Sequence, residues 1–360
     1  MNEVVSHAGD ITPEWLTGVL ANTGNLKSKV TDVSCEQIGA GVGLMAELSR
    51  LTVQYDSPEP NLPGTIIAKC AARNDNRAVA QLLDFYNRET NFYNKVAPTC
   101  PFRVPHSYYG AVNNETYDFV LLMEDLGDVS PVDQLVGSTE AEAFDKIEKI
   151  AKLHAFWWGK CDQPENSWMY DFMSPAEMQK LRDFVYMPSL EPAIENFSSF
   201  FGNGGADLCR KVGEQYAEIV DKITPAYTFL HGDYRQDNFI IRAGSDEPVI
   251  MDWQISGAGI AIFDVTYFIC QSLQTDLRQK IQKPLIERYV ACLAENGVKD
   301  YAFEQAWNDY RGLTLFCLIY PITVCGSLDL GNDRGRALAE CMLERNLSAV
   351  EDLDSGEFLS

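Results

Sequence analysis

The chain is poor in the features that announce several whole classes of protein. Histidine occurs only four times in 360 residues, at positions 7, 106, 154 and 231, too dispersed for a zinc site. Ten cysteines are scattered without a C-x-x-C pair, most of them inside apolar runs such as TLFCLIY. That pattern suits reduced, buried thiols and leads us to expect a cytoplasmic protein. No apolar run approaches the ~20 residues that span a bilayer. The opening MNEVVSHAGD has neither the basic nor the apolar region of a signal peptide. Positive charge is scarce: 29 Lys and Arg stand against 52 Asp and Glu, a net charge of −23. So acidic a surface repels phosphate backbones and anionic lipid, so no nucleic acid and no membrane partner is expected. It is weakly compatible with a cationic ligand. Internal repeats and low-complexity linkers are absent.

What is present is an ordinary globular composition, long enough for two lobes with a core each. ITPEWLTGVLANTG reads as a short helix, with Thr12 as cap, Pro13 in the first turn and Gly24 at the end. VTDVSCEQI and AELSRLTVQY are strands on either side of the glycine-rich GAGVG, and TIIAKCA is a third strand. Apolar spacing through Val79, Leu82, Leu83, Tyr86 and Phe92 predicts one helix over 76–96. Strands follow at 103–109 and 116–122. Beyond about residue 128 the character turns helical. A helix over 139–158 places Phe144, Ile147, Ala151, His154, Ala155 and Trp158 on one face. Residues 162–226 are helical and irregular, and three or four helices fill 264–352.

The densest polar stretch is HGDYRQDN, His231 to Asn238, between the strand-like runs YTFL and FIIR. Turn formers alone would account for it. A second motif changes that weighting. IMDWQ carries Asp252, fourteen residues after Asn238, across a strand, the turn AGSDEP and another strand. Such a hairpin brings Asp252 back towards Asn238. Their hard oxygens suit Mg²⁺ that also holds phosphate oxygens. Asp233 is then placed to take a proton from an attacking hydroxyl. Arg235, on the same loop, can neutralise charge on a moving phosphoryl group. Either piece alone reads as a polar turn; the two at this spacing favour chemistry.

HGD-x-x-x-x-N followed by a hairpin and D-x-x resembles the catalytic and metal loops of the protein-kinase-like fold. The HGD spelling is that of aminoglycoside phosphotransferases and choline kinase-like relatives. With E-x-x-FY, MEDL, LHAFWW, HGDYRQDN and MDWQ together, the chain is similar to the ecdysteroid-kinase-like, or CHK kinase-like, branch over roughly residues 35–275. The resemblance implies an α+β, two-lobe fold. Residues 1–126 would form a small N-lobe with an antiparallel sheet and one helix, and residues 127–360 a larger helix-rich C-lobe. It implies ATP and Mg²⁺ as cofactors and a small-molecule hydroxyl as acceptor. Asp233 would be the catalytic base, with Arg235 beside it, and Asn238 and Asp252 would hold the metal. Lys69 would bind the α/β-phosphates with Glu89 as its helix partner. Gly39, Gly41 and Gly43 would cover the phosphates, although their spacing departs from G-x-G-x-x-G. The backbone of Glu124 and Leu126 in MEDL would meet adenine, and Ile240 would join the nucleotide-binding set. His231, His154 and Asp264 would support the catalytic loop.

Plainer readings accompany several of these. Lys69 can be an edge-strand lysine with its head in water, and Glu89 a solvated carboxylate. His154 reads as a hydrogen-bonded core histidine. Trp157, Trp158, Trp168 and Tyr170 either wall a substrate pocket or belong to the core. No A-P-E segment follows IMDWQ, and IFD returns within about ten residues, so a peptide substrate is disfavoured. Two other functions compete with a small-molecule kinase: a catalytically silent nucleotide-binding protein, and a metal-dependent hydrolase using HGD and Asp252.

Overall fold

The structure is a computed structural model. It describes residues 4–23, 27–38, 45–60, 62–127, 129–202, 204–242, 244–245, 247–327 and 333–359. The chain forms two compact units: Met1–Ser130 with Ile240–Ile255, and Pro131–Phe239 with Ser256–Ser360. The segment 240–255 follows the HGDYRQDN loop in sequence but groups with the first unit. Where the sequence suggests a single boundary near residue 126, the chain passes between these units three times, at 130–131, 239–240 and 255–256.

The first unit is built on a five-stranded antiparallel sheet. Helix α1 (Pro13–Thr23) begins at Thr12, whose Oγ1 accepts the Trp15 N–H at 3.2 Å. Strands β1 (Val30–Ile38), β2 (Ala46–Tyr55) and β3 (Thr65–Ala71) have the bounds read from sequence. Residues Leu16, Val19 and Leu20 of α1 pack on Leu51 and Val53 of β2 and on Ile66, Ala68 and Cys70 of β3. Strand side chains alternate between faces, so Lys69 points away from α1.

The helix expected over 76–96 is interrupted. Helix α2 (Asn76–Leu82) ends before Asp84, which has φ +55, and α3 (Phe85–Asn91) restarts there and runs into a π-helical turn over Phe92–Val96. Asp84 Oδ1 accepts from Asn87 Nδ2 at 2.8 Å and from the Tyr117 hydroxyl at 3.0 Å, which holds its left-handed backbone. The restart buries Phe85, Tyr86, Arg88 and Glu89.

Strands β4 (Ser107–Asn113) and β5 (Asp118–Glu124) lie later than the expected 103–109 and 116–122. Residue 103 is diverted: its carbonyl accepts the Ile250 N–H at 3.0 Å and its guanidinium pairs with Glu124 at 2.5 Å. The sheet order is β1-β2-β3-β5-β4. A short strand β6 (Val129–Pro131) closes the unit's first segment.

The second unit is mainly helical. Helix α4 (Glu140–Trp157) starts with a capping box between Thr139 and Glu142. Its buried face is Ala143, Lys146, Ile147, Ile150, Ala151, Leu153, His154 and Trp157. Phe144, Ala155 and Trp158, expected on that face, are only half-buried, because the stripe is rotated to admit the Lys146 stem. Helices α5 (Pro175–Leu181), α6 (Met187–Asn196), α7 (Gly205–Glu214) and α8 (Tyr216–Asp221) fill the irregular middle.

Strand β7 (Tyr227–Leu230) leads into HGDYRQDN. Beyond the loop run β8 (Phe239–Arg242) and β9 (Pro248–Ile250), neighbours in one small sheet with β6. The antiparallel partner of β7 is β10 (Gly257–Ile260), with Leu230 opposite Gly257. Among the described residues five helices follow rather than three or four: α9 (Ile262–Ser272), α10 (Thr275–Glu295), α11 (Phe303–Phe316), α12 (Ile319–Ser327) and α13 (Asp333–Asp352). Their breaks at 273–274 and 317–318 are only two residues long, too brief for a composition signal. Every residue of α9 is buried, which places Asp264 at the centre of the unit. Among the described residues no helix is long and apolar enough to cross a membrane.

Candidate active-site residues

Candidate residues fall in both units. In the first, Lys69 occupies the middle of β3, between Leu48 of β2 and Leu121 of β5. It is not an edge position. Its Nζ donates to Glu89 Oε1 at 2.8 Å and lies 3.6 Å from Asp252 Oδ1. Glu89 is 2% exposed, so it is not a solvated carboxylate. Burial works to lower the pKa of Lys69, but the Glu89 and Asp252 carboxylates outweigh it and hold the ammonium charged.

Asp252 has φ +61, a backbone conformation that costs a residue other than glycine some strain. Its Oδ1 is buried and accepts no hydrogen bond, and the same is true of Glu89 Oε2. An orphaned carboxylate oxygen beside a lysine fits a site that takes a further cation. Gln254 Nε2 is 3.4 Å from Asp252 Oδ2.

Two contacts of the segment that carries Asp252 were not read from the sequence. The Trp253 ring stacks on Phe92 with centroids 3.7 Å apart, and its Nε1 donates to Ile250 O at 3.2 Å. Buried Arg88 donates to Leu83 O at 3.3 Å and to Ile255 O. Both contacts tie α3, which carries Glu89, to the segment that carries Asp252. They run over more than 150 residues of sequence, and no local pattern signals them.

Glu124 spends its side chain on Arg103 at 2.5 Å and Arg242 at 3.3 Å. Burial alone would raise its pKa; the arginine and the His106 N–H bring it below the usual range. Its own N–H donates to His106 O at 2.8 Å. Leu126 is buried and Ile240 half-buried in β8. Gly39, Gly41 and Gly43 lie outside the described residues.

In the second unit, Asp264 organises the loop after β7. It is fully buried, and its two oxygens accept the His231 N–H at 2.7 Å and the Gly232 N–H at 2.9 Å. His154 Nε2 lies 3.2 Å from the same carboxylate, and its Nδ1 lies 2.9 Å from the Tyr289 hydroxyl. A chain of polar contacts thus runs from α10 through α4 and α9 to the loop backbone. Gly232 has φ +84, and its carbonyl accepts from the Tyr320 hydroxyl. His231 Nδ1 accepts the Asp233 N–H at 3.2 Å.

Asp233 is 8% exposed. Its Oδ1 pairs with Arg235 Nε at 3.1 Å, and its Oδ2 accepts from Asn238 Nδ2 at 3.0 Å. Asn238 Nδ2 also donates to the Asp233 carbonyl at 2.7 Å. With the amide nitrogen so engaged, Asn238 Oδ1 is the atom left to meet a cation. Arg235 reaches Asp237 Oδ2 at 3.0 Å as well. Burial opposes its charge, but Asp233 and Asp237 raise its pKa above the ordinary arginine value. Burial and then the Asp233 carboxylate keep the Tyr267 phenol un-ionised.

The far side of the loop is braced by residues that sequence reasoning missed. Gln236 Oε1 accepts from Lys146 Nζ at 2.5 Å, and the Tyr234 hydroxyl donates to Lys146 O at 2.7 Å. Asp237 Oδ1 accepts the Gln134 N–H at 2.9 Å. Of the aromatic set, Trp157 and Trp168 flank Phe229 of β7, at 6.0 and 6.3 Å, while Trp158 lies against Tyr301 at 5.4 Å. Tyr170 donates to Glu177.

A model of the ecdysteroid kinase-like family matches residues 40–300. The chain belongs to the ecdysteroid kinase-like family. Solved structures agree on the fold, which is α+β and protein-kinase-like. A choline kinase from Cryptosporidium parvum Iowa II superposes with a TM-score of 0.60 at 12% identity, covering 97% of this chain and 98% of that one. An ethanolamine kinase from Plasmodium vivax gives 0.51 at 11% identity, covering 90% and 84%. The GDP complex of an aminoglycoside 2'-phosphotransferase-IIIa gives 0.50 at 14% identity, covering 93% and 97%. No curated protein matches the chain significantly.

Proposed function

We propose that this member of the ecdysteroid kinase-like family transfers the γ-phosphoryl group of ATP, in the presence of Mg²⁺, to a hydroxyl of a small molecule. The observation that carries the proposal is the buried Lys69, held by Glu89 at 2.8 Å with the orphaned Asp252 oxygen 3.6 Å away. A strand lysine fixed by a helix glutamate, with a second carboxylate oxygen close by that accepts no hydrogen bond, suits a polyphosphate and its metal. Glu89 keeps the lysine aimed. Asp252 and Asn238 Oδ1 are the oxygens we assign to Mg²⁺, which when bound neutralises phosphate charge.

Asp233 takes the proton of the acceptor hydroxyl as its oxygen bonds to the γ-phosphorus and the bond to the β-bridging oxygen breaks, releasing ADP. Arg235 orients the Asp233 carboxylate and lends positive charge to the transferred group. The backbone of Glu124 and Leu126 is assigned to adenine; the Glu124 N–H is already donated, so that residue offers its carbonyl. Ile240 and the glycines 39, 41 and 43 complete the nucleotide set.

The decisive experiment pairs a thermal-shift assay with turnover. A shift that requires both ATP and Mg²⁺ supports the nucleotide site, since a ligand bound only to the folded state stabilises it by mass action. Turnover is then screened over amino alcohols, aminoglycosides, sugars and sterols. Asp233→Asn should lower turnover by about 10²–10⁴-fold while leaving the shift in place. A full shift with no turnover on any acceptor would instead favour a catalytically silent nucleotide-binding protein. The hydrolase alternative is not favoured by the family to which the chain belongs; ATP-independent turnover would be its signature.

A further inference from the structure

The second unit carries a cleft of about 510 Å³ that the phosphoryl-transfer reading does not use. It lies where the end of α4, the 166–171 turn, the start of β7 and the 300–301 turn meet. Trp158, Tyr227, Tyr301 and Met169 are among its apolar walls, and Asp162, Asp171 and Asp300 are its charged groups. Among the described residues no lysine, arginine or histidine lines it. The volume falls within the range that holds a small organic ligand.

Its walls are fixed from behind. The Tyr301 hydroxyl donates to Asp309 Oδ2 at 2.9 Å, and Asp309 Oδ1 accepts the Thr224 N–H at 3.1 Å and hydroxyl at 3.2 Å. Asp309 is 1% exposed, and no step assigned above employs it. Gly159 N–H donates to Tyr227 O at 3.1 Å, joining the end of α4 to β7. The Trp158 and Tyr301 rings are 5.4 Å apart at an interplanar angle of 55°, so they form a corner rather than a stack. Asp171 makes a parallel bridge with Ala258 of β10 and accepts the Met173 N–H at 3.1 Å. Partial burial raises its pKa, against the Met173 and Ser174 N–H groups that lower it.

The cleft is distinct from the catalytic loop. Tyr227 begins β7 and His231 follows its end, so the two lie at opposite ends of that strand, about 13 Å apart at ~3.3 Å per residue.

We propose that this cleft is a second binding site, separate from the acceptor site, for a small organic cation of the ammonium class. Aromatic faces attract such a cation through their negative quadrupoles, and the three carboxylates supply charge that no protein cation neutralises within the cleft. A neutral ligand of equal size gains only the apolar contact.

Tetramethylammonium is the probe, since it has no hydroxyl to be phosphorylated, and tert-butanol is the neutral control. Binding is followed by calorimetric titration at constant ionic strength. The wild type should bind tetramethylammonium saturably. Trp158→Ala should weaken it by about 5–30-fold, and Asp171→Asn should weaken it measurably while retaining the wild-type circular dichroism. Asp233→Asn should bind as the wild type does, which separates this site from the catalytic one. No saturable binding, equal binding of tert-butanol, or binding lost in Asp233→Asn but kept in Trp158→Ala would overturn the proposal. None of these outcomes bears on whether the chain is a phosphotransferase.

Discussion

Lys69 Nζ lies 2.8 Å from Glu89 Oε1, with the lysine side chain 12% exposed and the glutamate 2%. A buried pair of this kind is held in place by mutual need rather than by net attraction. Desolvation of two ions consumes most of the Coulomb gain, whereas loss of one partner strands the other.

Lys69→Met should therefore destabilise the protein by about 3–5 kcal/mol, because Glu89 stays buried with one oxygen already orphaned. Lys69→Met with Glu89→Leu should recover most of that loss while leaving ATP use abolished. Urea unfolding of the two variants checks the first statement and ATP turnover the second. Additive destabilisation would show that the pair is not the interacting unit.

Asp264 holds the catalytic-loop backbone through two charge-assisted hydrogen bonds, to His231 and Gly232. Each is worth about 1.5–3 kcal/mol. Asp264→Ala should cost about 3 kcal/mol or more and should lower turnover, since both N–H groups and His154 lose their acceptor. Asp264→Asn should fall between, because the amide keeps one acceptor oxygen but turns a donor towards a donor. Equal stability of the two variants would mean that the charge is irrelevant to the loop.

The motifs around this loop were legible because they are local. HGDYRQDN and IMDWQ carry their spacing in the sequence, and β1, β2 and β3 are bounded by turn residues that fix them to the residue. What was not legible depends on distant partners. The break at Asp84 is held by Tyr117, thirty-three residues on, and the displacement of β4 by the Arg103 contacts to Ile250 and Glu124. The Trp253–Phe92 stack and the Tyr289 and Tyr320 hydroxyls likewise reach the site across the fold. Lys146 illustrates the point in reverse. A lysine in the pattern EAEAFDKIEK reads as a solvated charge, yet it is 3% exposed because the residues that bury it come from elsewhere.

Helices α6 and α12 touch with no side chain between them at one point. A Cβ on Gly326 would stand 1.9 Å from Ser189 O, and the neighbouring Ser189 and Ser327 hydroxyls are bonded. Backbone cannot give way as a flexible side chain can. Gly326→Ala should push the helices apart at about 1–3 kcal/mol. Since α12 also carries Tyr320, which donates to Gly232 O, turnover should fall along with the unfolding midpoint. An unchanged midpoint would show that the contact is looser than this.

Lys146 gives a pH dependence with a definite sign. Burial lowers its pKa to about 8, against the raising influence of Glu142 and Asp145, with Lys149 adding to the lowering. Its ammonium meets Ser138 Oγ at 2.9 Å, Gln236 Oε1 at 2.5 Å and the rings of Phe239 and Phe268, and among the described residues no carboxylate. In the unfolded chain a lysine titrates near ~10.4. Between about 8 and ~10.4 the unfolded state therefore binds more protons than the folded one, and stability rises with pH across that window. Below about 8 both states are protonated and the penalty for burying the charge is complete, roughly 3 kcal/mol. Lys146→Met removes the titrating group while keeping an unbranched side chain. The wild type should gain stability relative to Lys146→Met as pH rises from 7.5 to 9.5, measured by urea midpoints at each pH. The difference curve isolates this lysine from the buried tyrosines and cysteines that titrate in the same alkaline range. Parallel curves would show that the folded-state pKa is not depressed, and the contact with Gln236 would then be an ordinary charged hydrogen bond.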